Sequence, residues 1–134
     1  LSIRGLKDDP GLVGFCPDFS EAAGRVTMQK ILAVSAVDAV VTTDDYIAFG
    51  VLEALKEPGL ENVAVVGFNN TLRGRYQTPS LTSVDVRPAE LGSGAAALLI
   101  DAITGSGGFT GHRIVDTVLI ERDSTIGTKV RVPR

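Results

Sequence analysis

The apolar positions of this chain fall into short compact runs separated by stretches with helical spacing, a pattern that predicts alternating strands and helices. Leu12 to Cys16 is the first compact run. Asp18-Phe19-Ser20 follows, and Ser20 can cap a helix in which Gly24, Met28, Ile31 and Leu32 share a spacing. Asp38 to Thr42 is a second run, rich in β-branched residues. Thr43-Asp44-Asp45 closes it and opens another helix, with Ile47, Val51, Ala54 and Leu55 on its core face and Pro58-Gly59 as the stop. Val63 to Phe68 is a third strand, and its nearly unbroken apolar character predicts burial on both faces of a parallel sheet. Asn69 to Pro79 reads as a polar loop and Leu81 to Val86 as a fourth strand. Pro88 suits the first turn of a helix that gathers Leu91, Ala95, Leu98, Leu99 and Ala102 on one side. Gly105 to Gly108 reads as a linker, and Arg113 to Arg122 alternates like an exposed or half-buried strand. The expected fold is therefore α/β, a mostly parallel sheet flanked by helices.

In such sheets ligands bind beyond the carboxyl ends of the strands. Asp18-Phe19, Thr43-Asp44-Asp45 and Asn69-Asn70 all fall at such ends, so they should lie near one another. One of Asp44 and Asp45 can cap the helix, while the other can accept hydrogen bonds from ligand hydroxyls. Asn69 is either a turn residue or an amide that both donates to and accepts from a polar ligand, and Asn70 is the better turn-former. Phe19 by pattern alone reads as core. Tyr46 and Phe49 lie on the helix face opposite Ile47, Val51 and Leu55, which predicts a solvent-facing aromatic pair suited to a subunit contact, with Tyr76 able to join it.

Composition removes several alternatives. In 134 residues, 13 Lys and Arg stand against 16 Asp and Glu, which leaves no basic stripe for nucleic acid on this chain. The single cysteine, Cys16, reads as a small buried apolar residue, and it excludes an internal disulfide. His112 is the only histidine and reads as a surface residue, so neither a metal site nor a cofactor is expected. No targeting or membrane-spanning segment is visible, since the longest nearly apolar run, Leu91 to Ile100, is short and contains Gly92, Ser93 and Gly94. The mean hydropathy of +0.22 is high for a soluble domain and predicts apolar surface meant for a partner. A chain starting at Leu1 reads as part of a longer one.

Several segments together resemble the lactose/galactose-repressor (LacI/GalR) family of transcriptional regulators. Thr42-Thr-Asp-Asp-Tyr-Ile-Ala-Phe-Gly50 is similar to its A-x-N-D-x-x-A-x-G, and Val65-Val-Gly-Phe-Asn-Asn70 to its V-x-G-F-D-D. Tyr76-Gln-Thr-Pro-Ser-Leu-Thr-Ser-Val84 is similar to Y-x-x-P-x-L-T-T-V, and Leu119-Ile-Glu-Arg-Asp-Ser-Thr125 to the closing L-x-x-R-x-S-T. Asp18-Phe-Ser-Glu21 with Gly24, and Glu90-Leu-Gly92, match in the same order.

The resemblance implies the C-terminal subdomain of a periplasmic-binding-protein-like effector domain. Residues 1–86 and 118–134 would form that subdomain, and 87–117 would pack on an N-terminal subdomain supplied from elsewhere in a longer chain. It implies a cytoplasmic homodimer that is not an enzyme. The dimer binds a small effector, sugar-like or nucleoside-like, and touches operator DNA only through an N-terminal helix-turn-helix. By position, Phe19 matches the aromatic that stacks on the effector. Asp44 stands where the family has a ligand-contacting Asn, and Asn69 where it has a ligand-contacting Asp, so the two residue types are exchanged. Ser2 falls where the family often has a ligand-binding Arg. Phe49 and Tyr76 match subunit-interface positions. The alternative is an exported sugar-binding protein of the same fold. A third reading, an enzyme, would have Asp18, Asp44 and Asp45 hold Mg²⁺ for phosphoryl chemistry.

Overall fold

The computed structural model describes residues 9–105 and 112–126. Ser20 caps the first helix, α1 (Glu21–Leu32), by accepting from the Ala23 N–H at 3.1 Å. Strand β1 (Ala39–Val41) leads into α2 (Asp45–Ala54), which Asp44 caps. Then come β2 (Ala64–Phe68), a 3₁₀ turn at Leu72–Arg75, β3 (Thr82–Asp85), α3 (Pro88–Thr104) and β4 (Val118–Ile120). Pro88 opens α3 and Gly105, in a left-handed conformation at φ 66°, closes it.

The sheet order is β1-β2-β3-β4. The first three strands are parallel, with Val40 opposite Val65 and Gly67 opposite Ser83. β4 runs antiparallel to β3, with Asp85 opposite Val118. The mostly parallel α/β sheet is thus the one that the hydrophobic pattern predicts.

The core lies between α1, α2 and one sheet face. Met28, Ile47, Phe49, Val51, Leu52 and Leu55 pack there on Val65 and Leu81. The two helices cross very closely at Gly24 and Gly50: a Cβ on Gly50 would sit 1.9 Å from the Glu21 carbonyl oxygen. Two expectations need correction here. Leu12 to Cys16 does not join the sheet. Leu12 belongs to a 3₁₀ turn begun by Pro10, and the Gly14 backbone presses on α1, where a Cβ would lie 2.4 Å from Thr27 Cγ2. A cavity of about 430 Å³, lined by this segment together with Val40, Val41, Thr43, Met28 and Ile47, stands beside the edge of β1. Burial on both faces of the third strand is met only in part among the described residues: Ala64, Val65 and Gly67 of β2 are buried and Val66 partly so, whereas Phe68 is exposed. Of α3, only Gly94 is buried, and Leu91, Leu99, Ile100 and Ile103 are exposed. Of the stretch from Arg113 to Arg122, only Val118–Ile120 forms strand, opposite the short β3.

Candidate functional site

The carboxyl ends of β1, β2 and β3 carry a connected set of polar side chains. Asp44 is half-buried at the start of α2. Its Oδ1 accepts from the Tyr46 N–H at 2.7 Å, and its Oδ2 accepts from the Asn69 side-chain amide at 2.8 Å. Two of the three expected clusters therefore meet in one hydrogen bond. Asn69 and Asn70 both adopt positive φ, 98° and 48°, so turn-forming belongs to both and not to Asn70 alone. Asn70 donates from its backbone N–H to Ser83 Oγ (2.9 Å) and from its amide to Asp85 (3.0 Å), and its carbonyl oxygen accepts from Arg122 (2.6 Å).

Asp45 does something the sequence did not reveal. It is fully buried, and three donors converge on it: Ser83 Oγ at 2.6 Å, the Thr71 N–H at 2.6 Å and Thr71 Oγ1 at 2.8 Å. It thereby ties the Asn69–Thr71 turn to α2 from beneath, while Asp44 grips it from the side. Both aspartates thus have structural partners, and capping accounts only for Asp44. Gly67 leaves room for this: a Cβ there would sit 2.3 Å from Asp45 Oδ1.

Asp85 closes the set. The Arg87 N–H, with help from the Asn70 amide, holds its carboxyl below the usual carboxylate range. A lowered folded pKa means that this contribution to stability is present above the unfolded value of about 3.9 and is lost as pH falls through the folded one. An NMR titration of the Asp85 carboxyl carbon should place its midpoint below that of an unstructured aspartate. Arg87 itself carries a left-handed backbone at φ 50° at the junction with α3.

Phe19 is 68% exposed, which corrects the core reading for it. It lines the cavity beside β1 together with Asp18 and Thr43, so its ring is available at the same end of the sheet. Asp18 holds an Asx turn through the Ser20 N–H, and hydrogen bonding with the Ser20 side chain first and its N–H second keeps its carboxyl below the ordinary range. Ser2 lies outside the described residues. Cys16, expected as a small buried apolar residue, is half-buried, with its Sγ 3.5 Å from Thr27 Oγ1. His112 is exposed. Asp18, Asp44 and Asp45 do not gather into a cation site, and among the described residues no three His, Cys, Asp or Glu side chains do.

The aromatic face of α2 differs from expectation in one respect. Phe49 is 1% exposed, so its ring is not itself a surface group. The Arg73 guanidinium lies 4.5 Å over the ring, and Arg73 is held there by a forked pair with Glu21. Glu21 raises the Arg73 pKa above its ordinary value. Burying Phe49 contributes roughly 2–3 kcal/mol. Tyr46, at 45% exposure, meets Phe49 edge-on at 5.7 Å, and Tyr76 is 80% exposed. Among the described residues no helix is long and apolar enough to cross a membrane.

The family model for a periplasmic binding protein-like domain matches residues 8–125. The chain is 34% identical over 125 residues to the HTH-type transcriptional repressor CytR of Escherichia coli K12, covering 90% of this chain and 36% of the repressor. It thus spans little more than a third of that relative's length. Among solved structures, a LacI-family regulator from Sanguibacter keddieii superposes with a TM-score of 0.83 at 30% identity, covering 95% of this chain and 50% of that one. The transcriptional regulator CelR in complex with cellobiose superposes with a TM-score of 0.82 at 33% identity, covering 92% and 38%. The mostly parallel sheet, its polar strand ends and these similarities agree: the chain belongs to the family of periplasmic binding protein-like domains, in the form found in LacI-type transcriptional regulators.

Proposed function

We propose that the chain is the effector-binding and dimerisation portion of a repressor-type, DNA-binding transcriptional regulator, and that it is not an enzyme. The observation that carries this reading is the Asn69–Asp44 hydrogen bond at the carboxyl ends of two parallel strands. There a carboxylate and an amide with spare bonding capacity can meet the hydroxyls of a small sugar-like or nucleoside-like ligand. Phe19 stacks on the flat face of that ligand, and Ser2 completes the contacts. CelR, which is similar over 92% of this chain, is known with cellobiose bound.

In this reading residues 1–86 and 118–134 form one subdomain. The 87–117 stretch packs its apolar face, with Leu99, Ile100 and Ile103, on a second subdomain. Ligand closes the two, and closure changes the operator affinity of an N-terminal helix-turn-helix in a cytoplasmic homodimer. Coupling of this kind is typically about 1–3 kcal/mol. The reading frame upstream of Leu1 tests it most directly. A helix-turn-helix followed by a first α/β subdomain is the expected result, and a secretory signal peptide would make the protein an exported binding protein instead.

Two predictions follow from the site and the interface. Asn69→Gly should abolish the effector response while leaving stability within about 1 kcal/mol, because glycine adopts φ 98° without strain. Titration of operator binding with and without effector checks it, and a full response would remove Asn69 from the site. Tyr76→Arg should shift the dimer toward monomer in sedimentation equilibrium. The unfolding midpoint should hold, since so exposed a side chain supports little of the fold.

A further inference from the structure

We propose that Asp85 is a positioning residue that joins the turn of the candidate site to the start of α3, so that the Asn69–Thr71 turn and the direction of α3 change together. This deepens the effector reading above and rests on it for its use, since a signal has to pass from that turn to the segment that packs on the second subdomain. Among the described residues, three other than glycine hold a positive φ: Asn69 at 98°, Asn70 at 48° and Arg87 at 50°. Such backbones are uncommon and persist where the surroundings fix them. Asparagine tolerates the left-handed region through its short polar side chain, and arginine has no such device. Arg87 is held by an acceptor instead: its N–H donates to Asp85 Oδ1 at 2.7 Å. The other oxygen of the same carboxyl, Oδ2, accepts from the Asn70 side-chain amide at 3.0 Å. One carboxyl thus spans two left-handed residues, one in the site turn and one at the joint of α3.

Asn70 is bound at both ends of its amide. Its carbonyl oxygen accepts from Arg122, which also donates to the Leu81 carbonyl at 2.5 Å, and its NH₂ group donates to Asp85. A guanidinium only donates and a carboxylate only accepts, so an amide satisfies both and its orientation is fixed. The Asn70 backbone N–H donates to Ser83 Oγ, which in turn donates to Asp45. A displacement of the turn therefore pulls on Asp85 rather than being absorbed by a loose side chain. The far side of the linkage is lightly held. Among the described residues α3 buries Gly94 alone, and the Arg87 side chain makes no bond to the first turn of the helix backbone. The direction of α3 then rests on the Arg87 backbone more than on packing along its length. Rotation at that one residue swings Leu99, Ile100 and Ile103 as a unit. Asp85 is the group through which such a rotation and a shift of the site turn meet.

The test needs no ligand: amide hydrogen exchange and residual dipolar couplings are measured on this chain and its variants. Asn70→Gly keeps the positive φ and removes the amide. The Arg87 N–H, bonded to Asp85 rather than to Asn70, should then exchange about threefold faster or more. In Asp85→Asn the side-chain oxygen can still accept from the Arg87 N–H, but its NH₂ group meets the Asn70 NH₂ donor to donor. Adding Asn70→Gly to that variant should change the Arg87 exchange no further. In Asp85→Ala the couplings of α3 should no longer fit the orientation of the sheet, and Asp85→Asn should restore the fit. Ser80→Ala, which removes a bond to Asp123, is the control and should leave Arg87 unmoved. An Arg87 N–H indifferent to Asn70→Gly overturns the linkage, as does an equal response to it in the Asp85→Asn background. So does an α3 that keeps its orientation in Asp85→Ala. Where Asp85→Ala fails to fold, the Asn70→Gly and Asp85→Asn pair decides alone. Because no ligand enters, these signals stand whether or not the effector reading holds, and ligand binding at Asp44 and Asn69 is judged separately.

Discussion

Asp45→Ala should cost about 3 kcal/mol of stability, far more than its neighbour Asp44→Ala, for which about 1 kcal/mol is expected. The two side chains are adjacent and both acidic, so only their surroundings separate them. Asp44 is half-buried and its partners can turn to water, so its loss is that of a helix cap. Asp45 is fully buried, and its removal takes the acceptor from the part-buried Thr71 N–H and hydroxyl and from the fully buried Ser83 hydroxyl. The hydroxyls can rotate toward other acceptors; the backbone N–H cannot. Asp45→Asn keeps the shape but turns an N–H toward a donor, and an intermediate loss of about 1–2 kcal/mol is expected. Urea unfolding of the three variants gives the ranking. A midpoint for Asp45→Ala equal to that of Asp44→Ala would show that the buried carboxylate is not the anchor of the turn.

Gly50→Ala is the second large effect. The added carbon would lie 1.9 Å from the Glu21 carbonyl oxygen and 2.7 Å from the Arg25 nitrogen, both backbone atoms that no side-chain motion can clear. Gly24 stands in the same relation to the Ile47 carbonyl oxygen, at 2.3 Å. Relief requires α1 and α2 to separate, which opens the packing of Met28, Phe49 and Leu52. The cost should be about 3 kcal/mol, at the upper end for overpacking. Gly92→Ala in α3 is the control. Nothing lies within 4 Å of the new carbon, so helix propensity alone predicts a gain of up to about 1 kcal/mol. Opposite shifts of the two thermal midpoints are expected. A mild effect at Gly50 would mean that the helix crossing has slack that the packing does not suggest.

These two cases also show what was legible in the sequence. The helix starts were readable because their causes are local: Ser20 and Asp44 bond to N–H groups two or three residues away, and Pro88 and Gly105 act through their own backbones. The meeting of Asp44 with Asn69 followed from both falling at the carboxyl ends of parallel strands, which the alternation of strands and helices predicts. Asp45 was opaque because its partners lie at Thr71 and Ser83, far along the chain. Phe49 was misplaced for a similar reason. Helical spacing puts it on the outer face of α2, but Arg73 arrives from a distant turn, anchored by Glu21, and roofs it over. Leu12 to Cys16 has the composition of a strand, yet Pro10 and Gly14 seat it against α1 before it can reach β1. Phe19 shows the converse: an aromatic that pattern assigns to a core stays open at the strand ends.

The register Asp85 opposite Val118 means that the chain leaves the sheet and returns to it at the same place. Everything between those residues is an excursion whose two roots sit side by side. Joining them with a tight turn would make β3 and β4 an ordinary hairpin, with a much shorter loop to close and less entropy to lose on folding. The intervening helix could then be exchanged for one of different length, or a whole domain inserted, without changing a single sheet hydrogen bond. For a protein of this architecture, that makes the root pair at Asp85 and Val118 the natural site for exchanging or inserting a segment.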